Sequence, residues 1–485
     1  MNPFQFQQQL HSRRAFLGNS AMGLGSLGFA TLLGQQLNAS DSHGGLAGAL
    51  PATHFPAKAK RVIYIHMLGA PSQHDLLDHK PLLQSLDGKK APRSILPERS
   101  AFLNTNPNPP LILGSPFKFE QVGGNGLWVS ELLPHFKTIV DKTCVIRSMQ
   151  TDQFNHAPAE LLLHTGFPVQ GRPSTGAWVT YGLGSENSDL PSYMVLLSGS
   201  NLPAGGTADF GSGFLPSVYQ GVRARSKGDP VLFLSNPEGM KRDDRRRHLD
   251  ALGALNQETL KDFGDPETAT RIAQYEMAFR MQASVPEVMD ISKEPQSVLD
   301  AYGAKPGHGS FANNCLLARK LCESGVRFVQ LFDWGWDSHG TGPGDDLVHA
   351  LAGKCKQTDQ PVAALIKDLE QRGLLEDTLV IWTGEFGRTA VMEARGGNIT
   401  FKGRDHHPGC FTSWIAGGGV KAGTVYGQTD EWGQKVVENP VHVYDFQATL
   451  LHLLGMEHTR LTYRFQGLDF RLTNFRGNAV KGVMS

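Results

Sequence analysis

The residues of this chain that can do chemistry gather in short loops behind apolar runs. Glu385 follows Thr378-Leu-Val-Ile-Trp-Thr-Gly384, and Gly403-Arg-Asp-His-His-Pro-Gly409 comes soon after. One carboxylate and two adjacent imidazoles, His406 and His407, can hold a divalent ion or move protons. Asp333-Trp-Gly-Trp-Asp-Ser-His-Gly340 closes another apolar run, and its Asp337 and His339 are close enough in a glycine-flanked loop to converge on one ion. Gly69-Ala-Pro-Ser-Gln-His-Asp75 places Asp75 as a ligand or as support for a nucleophile. In Thr151-Asp-Gln-Phe-Asn-His-Ala-Pro158, His156 stands where a helix starts, and there the helix dipole favours an anion such as phosphate or sulfate. Each piece also has a plainer role: a Glu385–Arg388 ion pair in a turn, a surface histidine pair, a helix cap at Asp75 or His156, ordinary polar loop residues at Asp337 and His339. Asp and His with Glu and His nearby suit zinc, manganese or iron better than calcium, which asks for more oxygen ligands.

The elements that must position these residues read as a parallel α/β arrangement. The apolar run Thr378–Gly384 is a strand buried on both faces, preceded by a helix over Val362–Arg372 that ends at Gly373. Arg61–Leu68 and Val326–Phe332 read as further central strands, and Thr143–Arg147, Tyr193–Leu197 and Phe411–Ile415 as strands around them. Helices are expected over Val129–Asp141, Ala157–His164, Asn313–Ser324 and Val443–Leu454. The charge run Lys241–His248, with Thr268–Met281 and Gln296–Tyr302, reads as a small helical insert. Residues 85–126, rich in Pro, Gly and Asn, read as a long excursion, and the segment 403–409 as a loop. Open α/β sheets bind ligands beyond the carboxyl ends of their strands, which is where the ionisable clusters fall.

Lys+Arg and Asp+Glu both total 46, so the formal charge is zero, which argues against a nucleic-acid binder. The five cysteines form no CxxC pair, and their odd number is not a disulfide framework, so they read as small buried thiols. Ser12-Arg-Arg-Ala-Phe-Leu17 precedes an uncharged run rich in Gly, Ala and Leu, the pattern of a twin-arginine export signal. That run is too short and too glycine-rich for a stable membrane span. The expected organisation is a signal peptide over residues 1–39, a polar tether over 40–58 and one domain over 59–485, with the helical insert around 240–305. The protein is then periplasmic or secreted, with the twin-arginine export machinery as a partner.

Taken together the motifs resemble a known group. Gly373-Leu-Leu-Glu-Asp-Thr-Leu-Val-Ile-Trp-Thr-Gly-Glu-Phe-Gly387 is similar to the corresponding segment of sulfatases in the alkaline phosphatase superfamily. More closely, the chain resembles the DUF1501 family, through Gly69–Asp75, Asn155-His156 with His164-Thr-Gly166, Asp337-Ser-His339, Glu385-Phe-Gly-Arg388 and Gly403–Pro408. The resemblance implies an alkaline phosphatase-like sandwich: a mostly parallel central sheet, helices on both faces, and metal ligands at the strand ends. It assigns Asp337, His339, Glu385, His407 or its neighbour His406, and Asp75 as candidate metal ligands. His156 takes the position of the sulfatase nucleophile, with Asn155 beside it. Because that position is His156 and not Cys, Ser or Thr, no formylglycine can form there; Glu160 also replaces an arginine of the sulfatase pattern, and Phe386 a histidine.

The resulting expectation is an exported, metal-dependent hydrolase of phosphate or sulfate esters. The attacking group is metal-activated water or His156, while Arg388 or Arg404 neutralises the anionic substrate, a sulfated or phosphorylated glycan being one such ester. Zinc is the first candidate ion, then manganese, iron or calcium. The other reading is a non-catalytic metal- or anion-binding envelope protein on a degenerate sulfatase-like fold.

Overall fold

A computed structural model describes residues 46–96, 110–225, 230–231, 235–264, 266–393 and 399–485. The twin-arginine segment, the first residues of the tether and the middle of the 85–126 excursion lie outside the described residues. The strands that matter are β1 (Arg61–Leu68), β2 (Thr143–Gln150), β3 (Tyr193–Ser198), β4 (Val222–Ala224), β5 (Phe328–Trp334), β6 (Thr378–Thr383), β7 (Gly387–Met392), β8 (Arg404–His407), β9 (Phe411–Ala416), β10 (Thr424–Tyr426) and β11 (Val441–His442). One sheet takes the order β10-β2-β9-β6-β1-β5-β3-β4, with β11 also on β2. Every pair in it is parallel except the two made by β9, which runs against β2 and β6.

The sheet is mostly parallel because its central strands have two apolar faces. In β1, every residue after Arg61 is buried. Ile63, Ile65 and Met67 point into one core, while Val62, Tyr64 and Leu68 point into the other. The first core is closed by helices Phe311–Glu323 and Ala352–Gln371, and the second by His156–Thr165, Thr175–Leu183 and Val443–Leu453. Helices therefore cover both faces, as a sheet without a polar side requires. Two long helices, Arg242–Phe263 and Pro266–Met289, pack against each other as a hairpin. All five cysteines are buried thiols.

Three local expectations are corrected. Residues 129–141 are not a helix: Leu127–Ser130 pairs with Phe119–Val122 as a hairpin, and short 3₁₀ turns follow. Pro134 lies in the middle of that stretch and cannot donate to a helical ladder. The helix before β6 is longer than expected, Ala352–Gln371, and runs through Pro361. The segment carrying His406 and His407 is not a loop but β8, antiparallel to β7.

Candidate metal centre at the strand ends

The carboxyl ends of β1, β5 and β6 lie side by side, because β1 pairs with both others. Each chain leaves its strand through a tight turn. Gly69, at φ 105°, lies so close to the next loop that a Cβ there would sit 2.5 Å from the backbone nitrogen of Asp337. A Cβ on Gly403 would sit 2.0 Å from the carbonyl carbon of His339. Only glycine permits both approaches, and they bring the loops after β1 and β5 and the start of β8 onto one point. Ala70 is held in the left-handed region, φ 63°, with its carbonyl accepting from Arg388 Nε at 3.0 Å. Such a backbone costs of order 1 kcal/mol or more, and the arginine fixes it.

At that point three imidazoles face one carboxylate. His339 Nε2 is 2.8 Å from Asp337 Oδ1, His406 Nε2 is 3.4 Å from the same oxygen, and His156 Nε2 is 3.4 Å from Oδ2. Behind each ring, the other nitrogen meets an acceptor: His156 Nδ1 the carboxylate of Glu385 at 2.6 Å, His406 Nδ1 the carbonyl of Phe154 at 2.7 Å, and His339 Nδ1 the carboxylate of Glu393. Carbonyls and carboxylates only accept, so each Nδ1 carries the proton. One donor atom from each of His156, Asp337, His339 and His406 lies within 4.8 Å of the others. The site is largely enclosed, yet a third of the Asp337 side chain remains exposed, so solvent reaches it.

The electrostatics follow from this packing. Burial works against the His156 cation, but the carboxylates of Asp337 and Glu385 outweigh it and push the imidazole up to about 9. Burial also opposes ionisation of Asp337, but Arg388 and the three histidines hold it far below the usual carboxylate range. His406 is pushed down to about 4, by burial first and then despite the Asp337 contact. Glu385 is fully buried and remains strongly acidic because His156 and His66 donate to it.

Glu385 is also the end of a directed chain. Tyr193 O–H donates to Gln330 Oε1, Gln330 Nε2 lies 3.2 Å from His164 Nδ1, His164 Nε2 lies 2.7 Å from His66 Nδ1, and His66 Nε2 lies 3.1 Å from Glu385 Oε2. Gly69 N–H donates to Oε1 at 3.0 Å. Burial, and then the nearby His66, keep His164 well below its ordinary value, so it is neutral, with one proton to give. His66 and Glu393 carry no motif in the sequence, and His164 belongs to the His164-Thr-Gly166 piece of the resemblance without a role attached to it. The one signal is a histidine inside an otherwise apolar strand at His66, and again inside an apolar helix at His164.

The other residues expected here divide sharply. Asn155 is the exposed residue before helix His156–Thr165, and its side chain makes no cap bond. Arg388 is wholly buried and spends its donors on the carbonyls of Gly69, Ala70 and Arg404 and on Asp337. Arg404 does not reach the centre. It clamps Asp75 through Nε at 2.8 Å and Nη2 at 3.2 Å, with both side chains fully buried. Asp75 also accepts from Ser72 Oγ at 2.5 Å, so it braces the fold rather than joining the cluster. His407 is turned away, its Nε2 bonded to the carbonyl of Gln434 at 2.7 Å. In the β8 register His406 and His407 oppose Arg388 and Gly387, so the two imidazoles leave opposite faces.

The family described as "Protein of unknown function (DUF1501)" matches residues 59–484. No curated protein matches the chain. Among solved structures it is similar to the PsFucS1 sulfatase from Pseudoalteromonas sp., at 12% identity and a TM-score of 0.34, with 88% of this chain and 71% of that one covered. It is similar to a protein in the alkaline phosphatase superfamily from Vibrio parahaemolyticus, at 11% identity and 0.35, with 84% and 70% covered. It is also similar to the C-terminal periplasmic domain of EcEptC from Escherichia coli, in complex with Zn, at 8% identity and 0.33, with 84% and 86% covered.

Proposed function

The chain belongs to the DUF1501 family, and from its strand-end cluster we propose a metal-dependent hydrolase of phosphate or sulfate esters, with His156, Asp337, His339 and His406 holding one divalent ion. One observation carries this reading. Three imidazoles are tied at Nδ1 by acceptors and turn Nε2 toward a single carboxylate. That is how metal-binding histidines are prepared, with an outer partner fixing tautomer and orientation. Three nitrogens and one oxygen suit zinc, iron or manganese. A divalent ion in such a setting lowers the pKa of bound water to about 7 and polarises an ester oxygen.

The chain's own residues supply the rest. Glu385 orients His156, Glu393 orients His339, and the carbonyl of Phe154 orients His406. The exposed edge of Asp337 leaves an opening for the ester. With Nδ1 held by Glu385, His156 Nε2 serves either as a ligand or, with the ion held by the other residues, as a nucleophile that displaces the ester's alcohol from phosphorus or sulfur; a phospho- or sulfo-histidine trapped in quenched turnover would separate that route from attack by water. The twin-arginine segment supports export, and among the described residues no helix is long and apolar enough to cross a membrane.

The test is metal content by mass spectrometry, together with turnover of a panel of aryl phosphates and sulfates. The samples are the exported protein and an Asp337→Ala/His339→Ala variant. The expected result is one equivalent of a transition metal and ester hydrolysis, both absent from the variant. A well-folded protein without metal overturns the reading. One observation favours the second reading, a non-catalytic binding protein: Arg388 and Arg404 spend their N–H groups on internal acceptors, so neither is free to grip an anion. Stoichiometric metal without turnover supports that reading.

A further inference from the structure

Behind His156, on the side away from Asp337, two more carboxyls are buried. Glu160 lies one turn along the same helix, and Asp209 lies in the 3₁₀ segment Gly206–Phe210. Both are fully buried. Several other interior carboxylates meet a basic side chain, as Asp75 meets Arg404, Asp78 meets Lys80 and Asp333 meets Lys354, or accept from backbone N–H groups, as Asp359 does. Glu160 and Asp209 differ. Burial first, and then contact with neighbouring carboxyls, raise both above the ordinary carboxylate range, and among the described residues no basic side chain or other residue donates to either oxygen of Asp209 or to Glu160 Oε1.

The two carboxyls converge. The N–H of Gly205 donates to Glu160 Oε2 at 2.8 Å, and a Cβ on the same glycine would lie 2.5 Å from both oxygens of Asp209. A donor atom from each of His156, Glu160 and Glu385 also falls within 4.8 Å of the others. Glu385 accepts three hydrogen bonds. A carboxylate has about four acceptor positions, so one remains. Glu160 thus meets Glu385 on one side and Asp209 on the other, in a region from which water is excluded, and several of their lone pairs are unused. Buried charge of one sign is expensive unless a counter-charge joins it. Oxygen-rich surroundings of this kind select hard divalent cations over zinc.

We propose that Glu160 and Glu385, with Asp209 beside Glu160, form a second cation site for a hard, oxygen-preferring divalent ion, on the far side of the His156 ring from the first centre. The two sites share a wall: Glu385 faces the second ion and orients His156 for the first. This adds to the function proposed above a second ion of different chemistry. Its existence does not depend on that function.

The experiment counts ions and measures melting temperature in three forms of the full chain, stripped and then dialysed against Mn2+ alone or Ca2+ alone. The forms are wild type, Asp337→Ala/His339→Ala, and Glu160→Gln/Asp209→Asn. The last replacement keeps shape and removes mutual repulsion, so folding is expected to survive. The expected result is that Asp337→Ala/His339→Ala still takes up one Mn2+ or Ca2+ and melts higher with it. Glu160→Gln/Asp209→Asn loses that ion and that shift, while still taking up Mn2+ at the first centre. The proposal is overturned if Asp337→Ala/His339→Ala binds neither ion, or if Glu160→Gln/Asp209→Asn binds as many ions as wild type. It is also overturned if that variant melts higher than wild type while neither ion moves the wild-type melt, because the pair then holds a shared proton. Failure of the first centre is read separately, as a metal content that Asp337→Ala/His339→Ala leaves unchanged.

Discussion

Asp75 and Asp337 both follow a central strand, and both meet a buried arginine, yet they do different work. Asp75 is sealed: Arg404 takes both its oxygens, Ser72 adds a third bond, and neither partner sees solvent. Asp337 also meets an arginine, Arg388, but three imidazole nitrogens converge on it and a third of its side chain is exposed. A carboxylate sealed by one buried fork and a neighbouring hydroxyl is a brace. One that gathers several neutralisable nitrogens at an opening is a candidate site. Strand-end position alone does not separate the two. The identity of the partners and the access of solvent do.

The strongest way to break this comparison is to cut the brace. Asp75→Asn leaves the Arg404 guanidinium buried without its counter-charge, and a loss of about 3–5 kcal/mol in unfolding free energy is expected. Urea denaturation measures it. Replacing both partners by apolar residues, Asp75→Leu with Arg404→Met, should lose less than either single change, because a buried pair offers little over good packing. Metal content should stay stoichiometric throughout. A folded Asp75→Asn protein that has lost its metal would make Asp75 a ligand after all.

A smaller effect sharpens the other half of the comparison through pH. In metal-free protein His156 is raised to about 9, from an unfolded value of about 6.5. A raised folded value means that the stabilisation is whole below about pH 6.5 and is lost as pH rises through about 9. At about 1.36 kcal/mol per pH unit this is of order 3 kcal/mol. Melting of the stripped protein should therefore fall over that window, and the fall should vanish in stripped His156→Gln. Metal uptake near neutral pH should release a proton, seen as a buffer-dependent heat, because a ligating imidazole is neutral. An unchanged slope in His156→Gln would show that the Asp337 and Glu385 carboxylates do not stabilise the His156 cation.

The strands were readable because burial on both faces leaves an unbroken apolar run, as in Arg61–Leu68 and Thr378–Thr383. Asp337, His339 and Glu385 were readable because glycine-rich loops at the ends of such runs stand out. No helix forms over Val129–Asp141 because Pro134 interrupts the ladder and because the pairing of Leu127–Ser130 with Phe119–Val122 is tertiary. The orienting partners were hidden for a related reason. Nothing local links Glu393 to His339 or His66 to Glu385; the contacts span 54 and 319 residues. Arg404 was expected to face substrate because a loop reading of 403–409 says nothing about which way a side chain points.

Glu393 gives a prediction of intermediate size. Glu393→Gln keeps an acceptor for His339 but removes its charge, and the expected loss in metal affinity is about 10–100-fold, or about 1.4–2.7 kcal/mol. Competition with a chelator of known strength measures it. An unchanged affinity would mean that His339 is positioned by its loop alone.

The smallest expected effect tests the register of a single strand. His406 and His407 are neighbours of the same type, and sequence alone cannot choose between them. Pairing of β8 with β7 turns His406 toward Asp337 and gives His407 to the carbonyl of Gln434, close against Gly409. His407→Gln should therefore cost only about 1 kcal/mol, the net worth of one hydrogen bond, and leave metal content intact. His406→Gln should lower metal affinity with little change in stability, because its ring sits at the partly open centre rather than in a sealed interior. If the two variants exchanged these behaviours, β8 would have to be paired one residue out of step. Such a slip carries every side chain of the strand to the opposite face, and the centre would then be built from His407 and Asp405 rather than from His406.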